Sequence, residues 1–209
     1  MKRTNGTAEN HNVSIEVPVR DTLHITIVGD TPYVGTNFAD STRQELADKQ
    51  SGKAKTKTRA VRNIDEEVFG RRHIVDDIDV IPISAFWAAM IDTAKDKLLT
   101  GTNGEEVRRC TLIQGDMGAH TTIRNLKGKV HPAPKTMSAV VKLASGARHI
   151  AYRPSYENWT AQITIIYFAD KFSQQDILNL LTRAGITTGI GDTRRIGGGR
   201  FHLAGEEKV

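Results

Sequence analysis

The chain has 209 residues, of which 38% are hydrophobic and 25% are charged, so it can bury the core of one globular domain. Its formal net charge of +5 favours an anionic partner. The single cysteine, Cys110, excludes an intramolecular disulfide and a cysteine-based zinc site within one chain, and no apolar run approaches the ~20 residues that span a bilayer.

The first predicted element is a strand at Leu23–Val28, where apolar and polar residues alternate. A long polar excursion at 37–79 follows it, and its centre carries no acid between Lys49 and Asn63. Such a stretch is typical of an exposed arm, either ordered on a nucleic-acid backbone or simply solvated. The basic residues that we assign to this excursion are Lys49, Lys53, Lys55, Lys57, Arg59, Arg62, Arg71 and Arg72.

Three acids, Asp76, Asp77 and Asp79, end the excursion. We interpret them as solvated residues at the start of a strand or as partners for arginine. Their spacing divides them between the two faces of a strand, which does not favour a metal site. The helix that follows begins after Pro82, with Ser84 as its expected N-cap and Gly101 as its expected end. Its apolar residues recur every three or four positions, as in an amphipathic helix.

The second half of the chain predicts more strands, one helix and a second basic loop. This loop, within Gly115–Pro134, carries Arg124, Lys127 and Lys129. Ser173 is the expected cap of the helix and Gly185 its expected left-handed end. The predicted strands are Cys110–Gln114, the hairpin arms Ser138–Leu143 and His149–Arg153, Thr160–Phe168, and Arg200–Leu203.

Without the excursions, the order of elements is βαββαβ, which predicts an α+β, ferredoxin-like fold of the RRM type. In this fold the helices cover one face of an antiparallel sheet and leave the other free to meet a ligand. We expect a single domain over 1–209 with its core at about 20–36, 80–115 and 135–205. The stretch 37–79 is then a thumb-like basic insertion, and 116–134 is the second basic loop.

The stretch Gly185–Leu203 is the strongest functional signal. Glycine lets a backbone approach a ligand closely, successive N–H groups can bind an anion, and arginine forks suit phosphate. Neither the dinucleotide fingerprint nor the triphosphate loop fits its spacing. A phosphate-contacting loop and an ordinary connection remain the alternatives. Its glycines and arginines are Gly189, Gly191, Gly197, Gly198, Gly199, Arg194, Arg195 and Arg200.

Three features resemble the RAMP superfamily, the RNA-recognition-like subunits of CRISPR effector complexes, and most of all their backbone subunit. They are the first strand with its long basic insertion, the proline-led helix IPISAFWAAMIDTAK, and the loop GIGDTRRIGGGRF. The segment from Trp159 to Arg195 is also similar to small phage-encoded proteins of the same general shape. The resemblance implies binding of single-stranded nucleic acid, a thumb-like insertion, a glycine loop that faces the strand, and head-to-tail assembly into a helical filament.

We therefore expect a non-catalytic binder of single-stranded DNA or RNA, with no cofactor, metal or membrane association. The polar N-terminus lacks the apolar segment of a secretory signal, so the expected location is the cytoplasm, or the host cytoplasm for a phage protein. One alternative is a RAMP-type endoribonuclease that uses a loop histidine, His120 or His131. The other is a structural or inhibitory protein whose basic surface binds an acidic protein partner.

Overall fold

The computed structural model describes residues 17–37, 47–48, 50–52, 62–95, 103–142 and 146–205. The elements in chain order are β1 (Arg20–Gly29), β2 (Tyr33–Val34), α1 (Ile64–Gly70), β3 (Ile74–Val75), β4 (Ile78–Pro82), α2 (Ile83–Lys95), α3 (Gly104–Cys110), β5 (Thr111–Gly115), β6 (His120–Thr122), β7 (Arg124–Asn125), β8 (Lys135–Lys142), β9 (Arg148–Tyr156), β10 (Trp159–Phe168), α4 (Gln174–Arg183) and β11 (Phe201–Leu203).

The central sheet has the strand order β11-β1-β10-β5, with β7 paired to the start of β10. All of these pairs are antiparallel. The helix α2 lies between β1 and β5 in the chain, and α4 lies between β10 and β11. This is the βαββαβ order of the predicted ferredoxin-like fold, which is confirmed.

The alternation seen in the sequence places one face of the sheet against the helices. Ile25 lies opposite Ile163, and Leu23 lies opposite Ile165, on the inner face of β1 and β10. The apolar face of α2 supplies Phe86 to this core, where its ring packs edge-on against Phe201 at 5.7 Å between centroids. The intervening side chains of β1 and β10, such as His24 and Gln162, point to the opposite, uncovered face.

The stretch 62–79 contains a helix and two strands that composition alone does not indicate. Asn63 caps α1 by accepting the backbone N–H groups of Asp65 and Glu66. The strands β3 and β4 then form a hairpin, and its turn is Asp76–Asp77, with φ of 49° and 61°. Two residues of positive φ are what a tight type I′ hairpin turn requires.

The predicted hairpin is formed by β8 and β9, which pair from Lys135–Ser155 out to Lys142–Arg148. At its base, β9 also pairs with β2, so the hairpin rises from the segment that follows β1. The predicted arm residue Leu143 and the predicted helix end Gly101 lie outside the described residues.

Two predicted helix ends were wrong. The helix α2 begins at Ile83, one residue before the expected cap Ser84. Gly185 lies inside a π-helical turn, Ala184–Thr188, and does not have positive φ. A Cβ at Gly185 would meet the Phe201 carbonyl and ring, so close packing on β11 explains the glycine. None of the described helices is long and apolar enough to cross a membrane.

Candidate nucleic-acid interface

The glycine-rich loop joins α4 to β11 through two tight turns. The π-helical turn Ala184–Thr188 ends where the Gly189 N–H donates to the Ala184 carbonyl at 2.8 Å. Arg194–Ile196 then form a 3₁₀ turn. Gly199 has φ of +64°, and a Cβ there would meet the Ile190 carbonyl, so this position requires glycine for two reasons.

The loop uses most of its own backbone N–H groups. They donate either within the loop or to the segment Thr31–Val34, which ends in β2, so acceptors of the protein itself occupy most of the N–H groups that could have bound an anion. The glycines shape the loop, and its side chains are left to meet a ligand. The donor–acceptor pairs are Ile190–Gly199 and Gly198–Thr193 within the loop, and Asp192–Val34, Gly199–Pro32 and Arg200–Thr31 across to that segment.

The other glycines occupy three different environments. Gly191, with φ of +81°, packs on the Val34 carbonyl and the Tyr33 ring. Gly189 faces the carbonyls of Gly198 and Gly199, and Gly198 packs against the Thr193 side chain. At Gly197, which is half-buried and has φ of +85°, a Cβ would meet open space.

Beside this loop lies a cavity of about 470 Å³ that we call the basic pocket. It is built by the end of α2, the π-helical turn, the 3₁₀ turn and the residue before β11. Four cationic side chains and one carboxylate line it, so positive charge dominates. Its residues are Asp92, Lys95, Thr187, Thr188, Arg194, Arg195 and Arg200.

The carboxylate neutralises only part of this charge. Asp92 lies 3.1 Å from the Lys95 ammonium and 3.6 Å from the Arg194 guanidinium. Within the part of the chain that the structure describes, the Nη1 atom of Arg200 is one of four buried side-chain atoms without a hydrogen-bond partner. A buried guanidinium nitrogen without an acceptor is unfavourable.

The sequence predicted the three arginines of this pocket but not its other residues. Lys95 lies in the last turn of α2, where a cation is common for reasons of helix stability alone. Thr187 and Thr188 belong to the π-helical turn after α4, whereas the sequence predicted that this helix ends at Gly185. Only the fold shows that these positions converge on the arginines.

The arginines near α1 are held by carboxylates instead. Arg62 pairs with Glu67 at 2.6 Å and lies over the Tyr152 ring at 4.9 Å. Arg71 pairs with the same Glu67 at 3.0 Å. These contacts dock α1 on β9, and the hydrogen bond from Arg62 is the largest cause that lowers the pKa of Glu67. Both arginines therefore lie outside the basic pocket.

Arg72 forms a more buried pair with the third acid of the predicted run. Its guanidinium donates two hydrogen bonds to Asp79, at 2.8 and 2.7 Å, and Asp79 is only 4% exposed. Burial and Asp79 raise the pKa of the neighbouring Tyr156 phenol. The expectation that this acid partners an arginine is met, and Arg72 is a structural residue in this arrangement.

The second basic loop has one ion-paired arginine and two exposed lysines. Arg124 donates to Asp116 at 2.8 Å and to the Gly128 carbonyl at 3.3 Å. Lys127 and Lys129 are exposed on a turn whose N–H groups Asn125 accepts.

The second basic loop and the glycine-rich loop leave the same end of the central sheet. The strand β7 pairs with Trp159–Thr160, and β11 pairs with Ile27–Gly29, where Val28 faces Thr160. They lie at opposite edges, however, so they are neighbours at one end and do not form one pocket. Lys49, Lys53, Lys55, Lys57 and Arg59 lie outside the described residues.

The uncovered face of the sheet carries hydrogen-bonding groups and little charge. The imidazole Nδ1 of His24 lies 3.0 Å from the Thr164 hydroxyl, and Thr26 and Gln162 are their neighbours. The charged residues at its corner, Arg124 and Asp116, neutralise each other. The basic pocket, on the helix-bearing side, is therefore the more favourable site for a polyanion.

His131, one of the two candidate catalytic histidines, contacts backbone carbonyls with both ring nitrogens. In His131, Nε2 lies 2.7 Å from the Glu157 carbonyl and Nδ1 lies 2.8 Å from the Pro132 carbonyl. Both nitrogens thus face acceptors, which suits a ring that donates to the backbone better than one that acts as a base. Within the described ranges, no group of three or more histidine, cysteine, aspartate or glutamate residues could hold a metal ion.

No protein-family model matches the chain, and no curated protein sequence is significantly similar to it. Solved structures are similar in fold. One is a chain of the cryo-EM structure of the type III-B Cmr-beta bound to cognate target RNA, with 12% identity and a TM-score of 0.51 over 90% of this chain. The match covers 60% of that longer chain. Another is the crystal structure of Cmr6 from Pyrococcus furiosus, with 9% identity, a TM-score of 0.41, and coverage of 91% of this chain and 98% of that one. The chain therefore shares its fold with a chain of the type III-B Cmr-beta structure, and the predicted resemblance is confirmed as a likeness of fold.

Proposed function

We propose that this protein is a non-catalytic, largely sequence-independent binder of single-stranded nucleic acid, and that the basic pocket holds phosphates of the strand. The observation that carries the proposal is the convergence of Lys95, Arg194, Arg195 and Arg200 around one carboxylate. Arginine forks and a lysine point charge are the usual ligands of phosphate oxygens. Among the described residues, the buried Nη1 of Arg200 has no acceptor, so the protein does not use all the hydrogen-bond donors of this guanidinium.

Charge, and not aromatic stacking, accounts for the affinity in this proposal. Aromatic residues make up 6% of the chain, and the large rings of Trp159, Tyr156, Tyr167 and Phe201 are fully buried in the core. They are therefore not available as stacking platforms. An interface made by phosphate neutralisation loses affinity steeply as salt rises.

The head-to-tail assembly of copies along the strand is a second part of the proposal. One basic pocket covers a short length of strand, so a longer polyanion would contact successive copies. A phage-encoded role in replication or recombination and a role in a CRISPR complex are both compatible with such an assembly. Sizing the protein with strands of increasing length, and negative-stain imaging of the product, would test it: we expect mass to rise in steps with length.

The test of the binding site is a fluorescence-anisotropy titration of labelled single-stranded RNA and DNA at several salt concentrations. The variant Arg194→Ala/Arg195→Ala removes two adjacent cations of the pocket. Its control, Arg108→Ala/Arg109→Ala, removes two adjacent arginines of α3, whose side chains are 60% and 75% exposed. We expect only the first variant to bind weakly, with a slope of log K against log salt that is flatter by about 1.4, or 0.7 for each lost contact. Equal losses in both variants would reduce the proposal to non-specific attraction.

The same titration addresses catalysis, because the labelled RNA can be recovered and its length measured. Intact RNA after prolonged incubation is the expected result. Cleavage that His120→Ala or His131→Ala abolishes would replace the proposal by the endoribonuclease alternative.

A further inference from the structure

A second cavity, of about 530 Å³, lies on the other side of the 3₁₀ turn from the basic pocket. We call it the apolar cleft. It separates the glycine-rich loop from the base of the β8–β9 hairpin. Its apolar wall consists of Pro32, Val34, Met137 and Ile196. Its polar lining consists of Thr31, Thr136, Ser155, Thr193 and the ion pair of Lys135 with Glu157, 2.6 Å apart.

The two cavities share one short stretch of chain. Arg194 and Arg195 line the basic pocket, and Ile196, the next residue, lines the apolar cleft. Both cavities therefore border the same three-residue turn, Arg194–Ile196. One nucleotide could therefore reach both, with its phosphate on the arginines and its base in the cleft.

The wall of the cleft is held in place before any ligand arrives. The Thr31 hydroxyl donates to the Gly197 carbonyl at 3.0 Å, and Trp159 Nε1 donates to the Thr31 carbonyl at 2.9 Å. On the far side, Arg153 of β9 lies 3.5 Å from the Asp192 carboxylate of the loop. A preformed site does not lose binding energy to ordering itself.

An unpaired nucleobase suits these walls. Ile196 is 80% exposed, so its apolar surface is accessible to a ligand in the cleft. A base presents apolar faces to such a side chain and hydrogen-bonding edges to hydroxyls and to the backbone of Gly197 and Gly198, which also line the cleft.

We infer that the apolar cleft accepts one unpaired nucleobase of the strand whose phosphates occupy the basic pocket. This inference rests on the proposed function. A base site in the cleft would make the protein prefer single-stranded to double-stranded nucleic acid, because a base within a duplex is stacked and paired and cannot enter the cleft. Since apolar side chains would contact the face of the base, which every base has, the cleft is expected to accept any base.

The test uses the variant Met137→Ser/Ile196→Ser, which removes the apolar wall without changing the net charge. Its control, Val140→Ser/Ile150→Ser, removes two exposed apolar residues that face each other across the hairpin, outside the cleft. Each protein is titrated with a single-stranded DNA and with the same strand made of abasic nucleotides. We expect Met137→Ser/Ile196→Ser to bind the intact strand at least roughly fivefold more weakly than the wild-type protein does. We expect it to bind the abasic strand with wild-type affinity. For both strands, the slope of log K against log salt should be the same as for the wild-type protein.

The outcomes separate this inference from the proposed function. If the first variant binds the intact strand as wild type does, while Arg194→Ala/Arg195→Ala weakens binding, the cleft is not a base site and the proposed function stands. Equal affinity of the wild-type protein for the intact and the abasic strand would also contradict the inference that the cleft binds a base. If wild type binds neither strand, the proposed function and the inference fail together.

Discussion

The Thr31 hydroxyl connects the segment after β1 to the tip of the glycine-rich loop. It donates to the Gly197 carbonyl at 3.0 Å and accepts the Arg200 N–H at 2.8 Å. One side chain thus fixes both ends of the stretch that carries the arginines, so the geometry of the basic pocket depends on a residue that does not line it.

Thr31→Val should therefore weaken binding without removing charge. Valine keeps the shape of threonine but leaves the Gly197 carbonyl and the Arg200 N–H without this partner. We expect a loss of about 1–2 kcal/mol in the free energy of unfolding and weaker nucleic-acid binding with an unchanged salt slope. Urea unfolding and anisotropy titrations measure the two effects. Thr26→Val, on the uncovered sheet face, is the control and should leave binding unaltered.

Asp92 should limit the affinity of the pocket. Its carboxylate lies close to Lys95 and Arg194, so Asp92→Asn raises the local positive potential. Because the pair is partly exposed, we expect the affinity for a single strand to rise only roughly two- to fivefold, most clearly at low salt. Asp170→Asn changes the same charge on an exposed turn and should have less effect. Weaker binding by Asp92→Asn would mean that Asp92 positions Arg194 instead of opposing phosphate.

The pair Arg72–Asp79 should matter for stability and not for binding. Asp79→Ala leaves a largely buried guanidinium without its partner, which costs roughly 3 kcal/mol or more of unfolding free energy. Titrated below its melting temperature, the folded variant should bind nucleic acid with wild-type affinity. A folded Arg72→Met variant that loses affinity would restore Arg72 to the interface, where the sequence first placed it.

Stability should also fall in acid through Glu67. Arg62 and Arg71 hold its pKa below the ordinary value, so the folded state favours the carboxylate more than the unfolded state does. This contribution is present above the ordinary glutamate pKa of about 4.3 and is lost as the pH falls through the lower pKa of the folded state. We expect Glu67→Gln to flatten the dependence of the urea midpoint on pH between about 5 and 3. Glu66→Gln, an exposed neighbour on α1, is the control.

The sequence predicts the sheet and its two main helices well because their signals are local. Alternation within Leu23–Val28 and Thr160–Phe168 gives strands with the expected inner faces, and Ser173 caps α4 together with Asp176, as predicted. The helix α1 also has a local signal, Asn63 followed by acids in the first turn, but its seven residues are too few for a clear periodicity.

The site is less predictable because charge pairing is not local. Arg72 and Arg194 each belong to an Arg-Arg pair, and the sequence does not distinguish their roles. In the structure, Arg72 donates to the buried carboxylate of Asp79, whereas Arg194 lines an open cavity. Likewise, the glycines of the loop predict a set of backbone N–H groups that could bind an anion. In the structure, several of these groups donate to Thr31, Pro32 and Val34 instead. Only the assembled structure decides which donors remain for a ligand.

The most direct measurement of the central claim is side-chain NMR of arginine-labelled protein during titration with a single-stranded oligonucleotide. The Nε–H signals, assigned through Arg→Lys variants, report each guanidinium separately. The account predicts that the signals of Arg194, Arg195 and Arg200 shift as the strand binds, while those of the ion-paired Arg72 and Arg124 stay in place. Shifts confined to Arg72 and Arg124, with the three pocket arginines unchanged, would contradict it.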